Sequence, residues 1–576
     1  MAETDLRVRL NKRMTELEKD RSSYIGHWKE LQENILPRRG RFLDTDRNDG
    51  TKRHNNIIDN SGTLAARTLA SGMMAGLTSP ARPWFRLDTP DPEMKQYGPV
   101  RDWLYAVEIR LREILARSNL YNTLHTVYKE IGVFGTAPAN IITDYDDVIR
   151  GFPITVGSYA LGLGANLQVD TIYRDIPMTA KMVVEKFGLK RVSASVKQQY
   201  ENGNYNQPVT VRHALEPNLD DLGYDGPESG FVADKPWRSV YWEKRGDTTD
   251  YPILQLNGFQ EKPFVAPRWD VNGTDTYGAS PGMDALGDVV QLQTMQRWKG
   301  EGIHKQVRPP MVAPTALRHT HKTTVPGGVT YYDGQQGMRG FEPAFNVQFD
   351  LRNLIEDIAE TKHRISRAFY EDLFLMLARS DRREITAREI EERHEEKLIM
   401  LGPVLERLED ELLDPVIDRV FQIALRAGLV PPPPPELDDQ DLKVEYISIL
   451  AQAQKAIAIN SLERTATYLG GLAQIQAASG EAPGVLDKFN FDEAIEEYTD
   501  SIGTTPKLIR EDDEVEEIRK GRAEAAEQQK QMAMMAESAK AAAAAGSIKT
   551  DERNVVADAV QQVTGVGNQP GVGQPQ

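Results

Sequence analysis

The sequence predicts an α+β protein, mostly helical, and three observations carry that prediction. Apolar residues recur at helical spacing through most of the chain's two ends. Between Gly135 and about residue 270 the texture changes to short β-type runs split by Gly, Pro, Asn and Asp. From about Phe349 to Leu425 the chain then reads as one helix, a polar break at Ala378–Arg383, and a second helix of about 40 residues. At ~1.5 Å per residue that second helix would reach on the order of 60 Å. Helices of that length belong to coiled coils, membrane proteins or large assemblies, so the segment points to a scaffold.

Taken in order, residues 1–36 form a helix with Leu10, Met14, Leu17, Tyr24, Trp28, Leu31 and Ile35 on one stripe, stopped by Pro37. Arg38, Arg39 and Arg41 follow, then a polar, turn-rich loop at 44–56. Residues 57–78 read as a helix of small residues, whose Ala and Gly allow close backbone approach to a neighbour. Residues 99–136 are helical again, with Trp103, Val107, Leu111, Leu115, Leu120, Leu124, Tyr128 and Ile131.

Strands are expected at Asn140–Thr143, Asn166–Tyr173, Val209–His213, Ser239–Glu243 and Pro263–Arg268. One helix interrupts them at Thr179–Phe187, capped by Thr179. Helices at about 281–304 and 349–377 flank a stretch with β-branched runs and a Gly-rich centre. In the long helix, Leu401, Leu405, Leu408, Leu412, Val416 and Val420 keep the 3–4 rhythm, and Gly402-Pro403 and Asp414-Pro415 should bend it. Pro431 to Pro435 form a stiff spacer. Residues 440–503 are mostly helical, 492–517 strongly acidic, 514–545 an Ala/Gln/Met/Glu-rich helix, and the end of the chain carries the composition of disorder.

Composition limits the function classes. The 576 residues contain no cysteine, which excludes disulfides, thiolate catalysis and cysteine-bound metal. No apolar run approaches the roughly 20 residues of a membrane span, and the charged N-terminus has no signal-peptide core, so a soluble intracellular product is expected. A net charge of −17 opposes tight nonspecific adsorption to DNA while leaving loose contact open.

Catalytic motifs are mostly missing. There is no Gly-x4-Gly-Lys-Ser/Thr loop, Gly162-Leu163-Gly164 is an isolated glycine pair in a loop-like setting, and His394-Glu395-Glu396 lacks a histidine at position 398. His304, His319 and His321 read as exposed polar positions, although a His-x-His pair on a strand shares one face and could hold metal. Glu391, Glu392, Glu395, Glu396, Glu409, Asp410 and Glu411 alternate with Arg388, Arg393, Lys397, Arg407 and Arg419, the pattern of a salt-bridge-laced helix surface. Basic groups do collect in two places. Lys299, Lys305, Arg308, Arg318, Lys322 and Arg339 stand against Glu301 and Asp333, an excess of +4, and Arg379, Arg382 and Arg383 surround Asp381. Each is a soluble loop or a contact for a polyanion or an acidic partner.

At this point the order of motifs resembles the portal (head-to-tail connector) proteins of short-tailed, podovirus-type bacteriophages. The residues are 70–85 (ASGMMAGLTSPARPWF), Phe134-Gly-Thr-Ala137, Tyr277-Gly-Ala-Ser-Pro281, 308–312 (RPPMV), and 384–390 (EITAREI) with Arg393. The resemblance covers roughly residues 5–510. It implies a ring, normally of twelve copies, at one capsid vertex, with no catalytic activity and no cofactor or metal. By position it implies a wing from 1–136 and 137–270, stem helices at 271–304 and 346–377, and a clip at 305–345. It further implies a tunnel loop at 378–384, a kinked helix at 385–430, a Pro-rich spacer at 431–439, and a crown at 440–510. An acidic then Ala-rich helix at 511–550 and a disordered tail at 551–576 complete the chain. Arg379, Arg382 and Arg383 would line the DNA channel, while Lys305, Arg308, Arg318, Lys322 and Arg339 would meet partner proteins. The implied partners are further copies of the chain, passing double-stranded DNA, the terminase large subunit, capsid and scaffold proteins, and tail adaptor or nozzle proteins, in the virion and, during assembly, the host cytoplasm. A different class remains open on the residues: a metal-dependent phosphate-processing or nuclease-like enzyme using Glu391, Glu392 and Glu395, or Asp144, Asp146 and Asp147, on Mg²⁺.

Overall fold

A computed structural model describes residues 3–42, 50, 56–91, 94, 97–218, 235–245, 252–313, 315, 318, 342–343, 351–379, 401–437, 442–447, 450, 465–476, 478, 488–495 and 512–546. The chain divides into two compact units, Met1–Gly503 and Thr504–Gln576. In the second, Asp512–Gly546 is a single helix whose Met532, Met534 and Met535 are exposed. Among the described residues no helix is long and apolar enough to cross a membrane.

In the first unit, α1 (Glu3–Asn34) serves two cores. Its first half lays Leu6, Leu10, Met14 and Leu17 on a sheet, against Ala160, Tyr173, Ala214, Val240 and Trp242. Its second half inserts Trp28, Leu31 and Ile35 into the main core. A stripe kept over 32 residues is therefore a tie between layers.

The main core is built on α2 (Ser61–Leu77), α3 (Gly98–Arg117) and α4 (Leu120–Phe134). The small residues of α2 do allow close approach, and the neighbours are large side chains. A methyl group placed on Gly72 would lie 2.2 Å from the Phe374 ring, and one on Gly132 of α4 would lie 2.1 Å from Leu69. The helical stretch 99–136 is two helices, because the chain turns at Ser118-Asn119, where the Asn119 side chain bonds both Gly151 N–H and Gly151 carbonyl.

Five antiparallel strands follow in the order β4-β5-β6-β7-β8: β4 (Tyr159–Leu163), β5 (Val169–Thr179), β6 (Pro208–Pro217), β7 (Trp237–Glu243) and β8 (Gln255–Phe259). The face opposite α1 is covered by α5 (Ala180–Phe187) and α6 (Ala194–Glu201) through Val183, Val184 and Val196, with Val192 of the connection between them. Thr179 caps α5 as expected, its hydroxyl accepting the Met182 N–H. Gly162 belongs to β4 and pairs with Thr171, with a register shift at Gly162/Leu163, so the glycine pair marks an irregular strand end and not a free loop.

A second sheet of order β3-β2-β9 joins β2 (Ala139–Asp144), β3 (Val148–Pro153) and β9 (Phe264–Val265). A two-stranded pair links β1 (Phe85–Asp88) to β12 (Lys443–Tyr446), so the chain returns to the first helical layer after the prolines. Trp103 Nε1 donates to the Pro431 carbonyl, and Trp84 stacks on Tyr446 with ring centroids 6.5 Å apart.

The single helix expected over 349–377 is two helices, α8 (Leu351–Ala368) and α9 (Glu371–Arg379). Tyr370 between them takes φ +54°, the left-handed conformation that ends a helix. Buried Phe369, Leu373 and Phe374 supply enough contact with the core to hold it there. The Asp414-Pro415 bend takes the form of a π turn at Glu409–Leu413, leading into α10 (Asp414–Arg426). Proline cannot donate to the carbonyl four residues back and clashes with it; widening the turn lets the Asp414 N–H reach the Glu409 carbonyl instead. Gly402-Pro403 sits where the described helix begins, and residues 380–400 lie outside the described residues.

Candidate channel and docking segments

The first of the segments singled out by charge follows α7 (Pro281–Val307), whose start is held by hydrogen bonds, and the second follows α9. Ser280 caps it, accepting the Met283 N–H and donating to the Val133 carbonyl at 2.7 Å. Further along, Gln293 Oε1 accepts the N–H groups of Ile58 and Asp59, and Gln296 donates to Asp59. α8 packs against α7 and is held by Lys362–Asp59 at 2.7 Å and Arg364–Asp288 at 3.1 Å. Burial pushes the Asp59 carboxyl up, but Lys362 and Ser61 outweigh it and hold the group below its ordinary value.

Beyond that anchor, Ile303 and Val307 continue the rhythm of Ala285, Val289 and Leu292, yet are exposed. Trp298 is 58% and Val307 72% exposed, and Ile355 on α8 is exposed as well. Of the basic residues at this end, Lys305 and Arg308 are exposed at the C-terminus of α7, and Arg318 is exposed. Lys322 and Arg339 lie outside the described residues. Residues 311–312 (β10) pair antiparallel with 342–343 (β11), which brings the two ends of the intervening segment together. Arg379 is the last residue of α9; Arg382 and Arg383 lie outside the described residues.

The candidate metal groups take simple positions. Asp144 accepts the N–H groups of Asp146 and Asp147 and pairs with Arg150 at 2.7 Å, the geometry of a polar turn. His304 is exposed, while His319, His321, Glu391, Glu392 and Glu395 lie outside the described residues. Among the described residues no three metal-ligating side chains converge.

Two of the short motifs meet in space. Gly135, at φ +78°, leaves room for the Gly278 carbonyl, which a methyl group there would approach to 1.9 Å. Thr136 accepts the Gly278 N–H and, through its carbonyl, the Tyr159 hydroxyl; Trp28 Nε1 donates to the Phe134 carbonyl. Phe134–Ala137 and Tyr277–Pro281 are thus the two halves of the joint where α1, α4, the five-stranded sheet and α7 converge.

Sequence reasoning missed the clamps on the long helix. Arg268, 5% exposed, holds Glu411 of the π turn through both carboxylate oxygens and its own backbone N–H. Arg419, 3% exposed, donates to the Ile141 carbonyl at 2.7 Å and pairs with Glu261. Burial lowers its pKa to about 10, opposed by Glu261. In sequence Glu411 and Arg419 belong to a surface charge lattice and Arg268 ends an expected strand; periodicity carries no mark that distinguishes a buried arginine from a solvated one.

Comparison with known proteins bears on the whole chain. Residues 7–509 match the family described as bacteriophage head to tail connecting protein. The portal protein of Salmonella phage epsilon15 is 44% identical over 523 residues, covering 90% of this chain and 91% of that protein. The probable portal protein of Bordetella phage BPP-1 is 43% identical over 565 residues, covering 98% of this chain and 100% of that protein. Among solved structures, a neck of an empty GTA particle aligns with 81% of this chain and 96% of its own at 13% identity and a TM-score of 0.35. A neck of a native GTA particle aligns with 79% and 91%, at 13% identity and a TM-score of 0.33. Overlap at that level defines no element of this chain.

Proposed function

Because the chain belongs to the bacteriophage head-to-tail connecting proteins, we propose that it forms a ring, of twelve copies, at one capsid vertex and provides the channel for genome packaging and ejection. It is a structural component of the virion and not an enzyme. The observation that supports assembly is the apolar surface left open on the far part of α7 and on α8, which neighbouring copies would cover.

In this reading α7 and the α8–α9 pair are the stem, the segment between them is the clip, and the helical layer with the five-stranded sheet is the wing. The crown follows β12. Lys305, Arg308, Arg318, Lys322 and Arg339 of the clip would dock the terminase motor and later the tail adaptors. Arg379, Arg382 and Arg383 would face the duplex, and three per copy would place about 36 cations around its path. A mainly acidic protein with a sparse basic ring would guide DNA without gripping it.

Native mass spectrometry with negative-stain imaging tests assembly. A species near twelve subunit masses with a central hole is expected; a stable monomer or dimer that never closes would overturn the ring. Changing the three tunnel arginines to Ala should leave rings intact and reduce DNA retention, and unchanged packaged length and yield would remove their assignment to the channel.

A further inference from the structure

A basic cavity lies apart from the stem, where α1 ends. Pro37 stops that helix, and Gly40, at φ +99°, reverses the chain. The Arg41 N–H then donates to the Val156 carbonyl at 2.8 Å, and Gly157, at φ +86°, lets the Arg41 carbonyl approach closely. The turn is therefore pinned to a second loop. Between them is a cavity of about 270 Å³ lined by Arg38, Arg39, Gly40, Arg41 and Thr155. We propose that this cavity is a phosphate site, and that it takes backbone phosphates of duplex nucleic acid at a place distinct from the channel loop.

The charge around it has the required sign and reach. Arg38 and Arg41 are exposed, and Arg39 reaches back 3.3 Å to Glu130, whose side chain is 2% exposed. Burial drives the Lys129 amine down, and Arg39 and Arg67 push it further. The same burial lowers His125, helped by Lys129 and Arg39. These groups crowd one another across the end of α1, α4 and α2. Glu130 offsets this charge only in part, since burial raises its carboxyl to about 7 against the pull of Arg39. In a chain of net charge −17, three arginines on one turn make a local cationic surface of the sign that attracts an anion.

Chemistry selects the anion. Guanidinium forks match the oxygens of a phosphate in pairs, and Thr155 completes the lining. The exposed arginines at the mouth, and the continuation of the cations to exposed Arg67, suit an extended polyanion better than an enclosed small one.

The test uses the full chain and a fluorescein-labelled duplex of arbitrary sequence, read by anisotropy across a salt series. The double variant R38A/R41A should bind about tenfold more weakly at low salt, with the slope of log K against log salt reduced by ~1.8, two phosphate contacts' worth. Its melting temperature should match the parent, because both side chains are exposed. R38K/R41K should restore the slope but only part of the affinity, since lysine keeps the charge without the fork. The variant R379A/R382A/R383A should keep the R38/R41-dependent part of the slope, which separates this site from the channel reading. Unchanged duplex affinity and slope in R38A/R41A would overturn the proposal. So would a variant that loses only protection by inorganic pyrophosphate, which would make the cavity a site for free phosphate compounds, or one that loses only binding of a polyglutamate peptide.

Discussion

In the five-stranded sheet both faces are covered by the chain's own helices, α1 on one side and α5 with α6 on the other, and Trp242 and Val240 are fully buried. In α7 the apolar rhythm of Ala285, Val289 and Leu292 is covered only at the start, and Ile303, Val307 and Trp298 stand in solvent. The first arrangement is complete in one copy. The second keeps the pattern of a buried helix beyond the reach of its partners. The difference separates what folds the subunit from what the proposed ring would use, because apolar surface removed from water contributes on the order of 25 cal/mol per Å² in either setting.

Three substitutions would sharpen or break that comparison. The largest effect is expected from Trp242→Ala, which empties a site packed against α1 and Tyr173 and removes one of two donors, the other being Arg212, from Asn11 Oδ1. A loss of about 3–5 kcal/mol in urea unfolding is expected; a loss below about 1 kcal/mol would mean the sheet is not the self-sufficient part.

Next is Glu130→Gln, read from unfolding at several pH values. The native state keeps a proton on Glu130 that the unfolded chain releases between its ordinary 4.5 and about 7, so its contribution is present at low pH and lost as pH rises through about 7. The variant should flatten that decline and gain on the order of 2 kcal/mol relative to the parent at pH 8. His213 acts in the opposite sense. Burial first, then Arg174 and Lys186, depress its pKa well below 6.5, so acid favours the unfolded chain. If the variant's decline between pH 4.5 and 7 is as steep as the parent's, Glu130 is not the titrating group.

The smallest effect on subunit stability is expected from Trp298→Asp, within about 0.5 kcal/mol because the ring is mostly exposed. Its effect should appear in assembly, as subunits that no longer close into rings in native mass spectrometry. Normal rings would show that this face is not the contact between copies.

Much of the architecture was legible in the chain. The stripe from Leu10 to Ile35, the β-rich stretch after Gly135, the Thr179 cap and the irregularity before Pro415 are local consequences of side-chain period, cap chemistry and the missing proline N–H. What went unread depends on distant partners. The break at Tyr370 is followed by Phe374 seated against Gly72, some 300 residues earlier. The strands β3, β4 and β8 and the short helix α6 carry weak patterns of their own and exist because neighbours pair with or cover them.

The charges divide in the same way. Sequence by itself determined the net charge, the lack of cysteine, the order of the family's motifs and the places where arginines cluster. Only the tertiary structure decided that Arg268 and Arg419 are buried clamps, that the glycines of two motifs form one joint, and that Arg38, Arg39 and Arg41 border a cavity. The physical reason is that backbone preferences and periodicity act between near neighbours, whereas desolvation and pairing of charge depend on which distant segments the fold brings within a few ångströms.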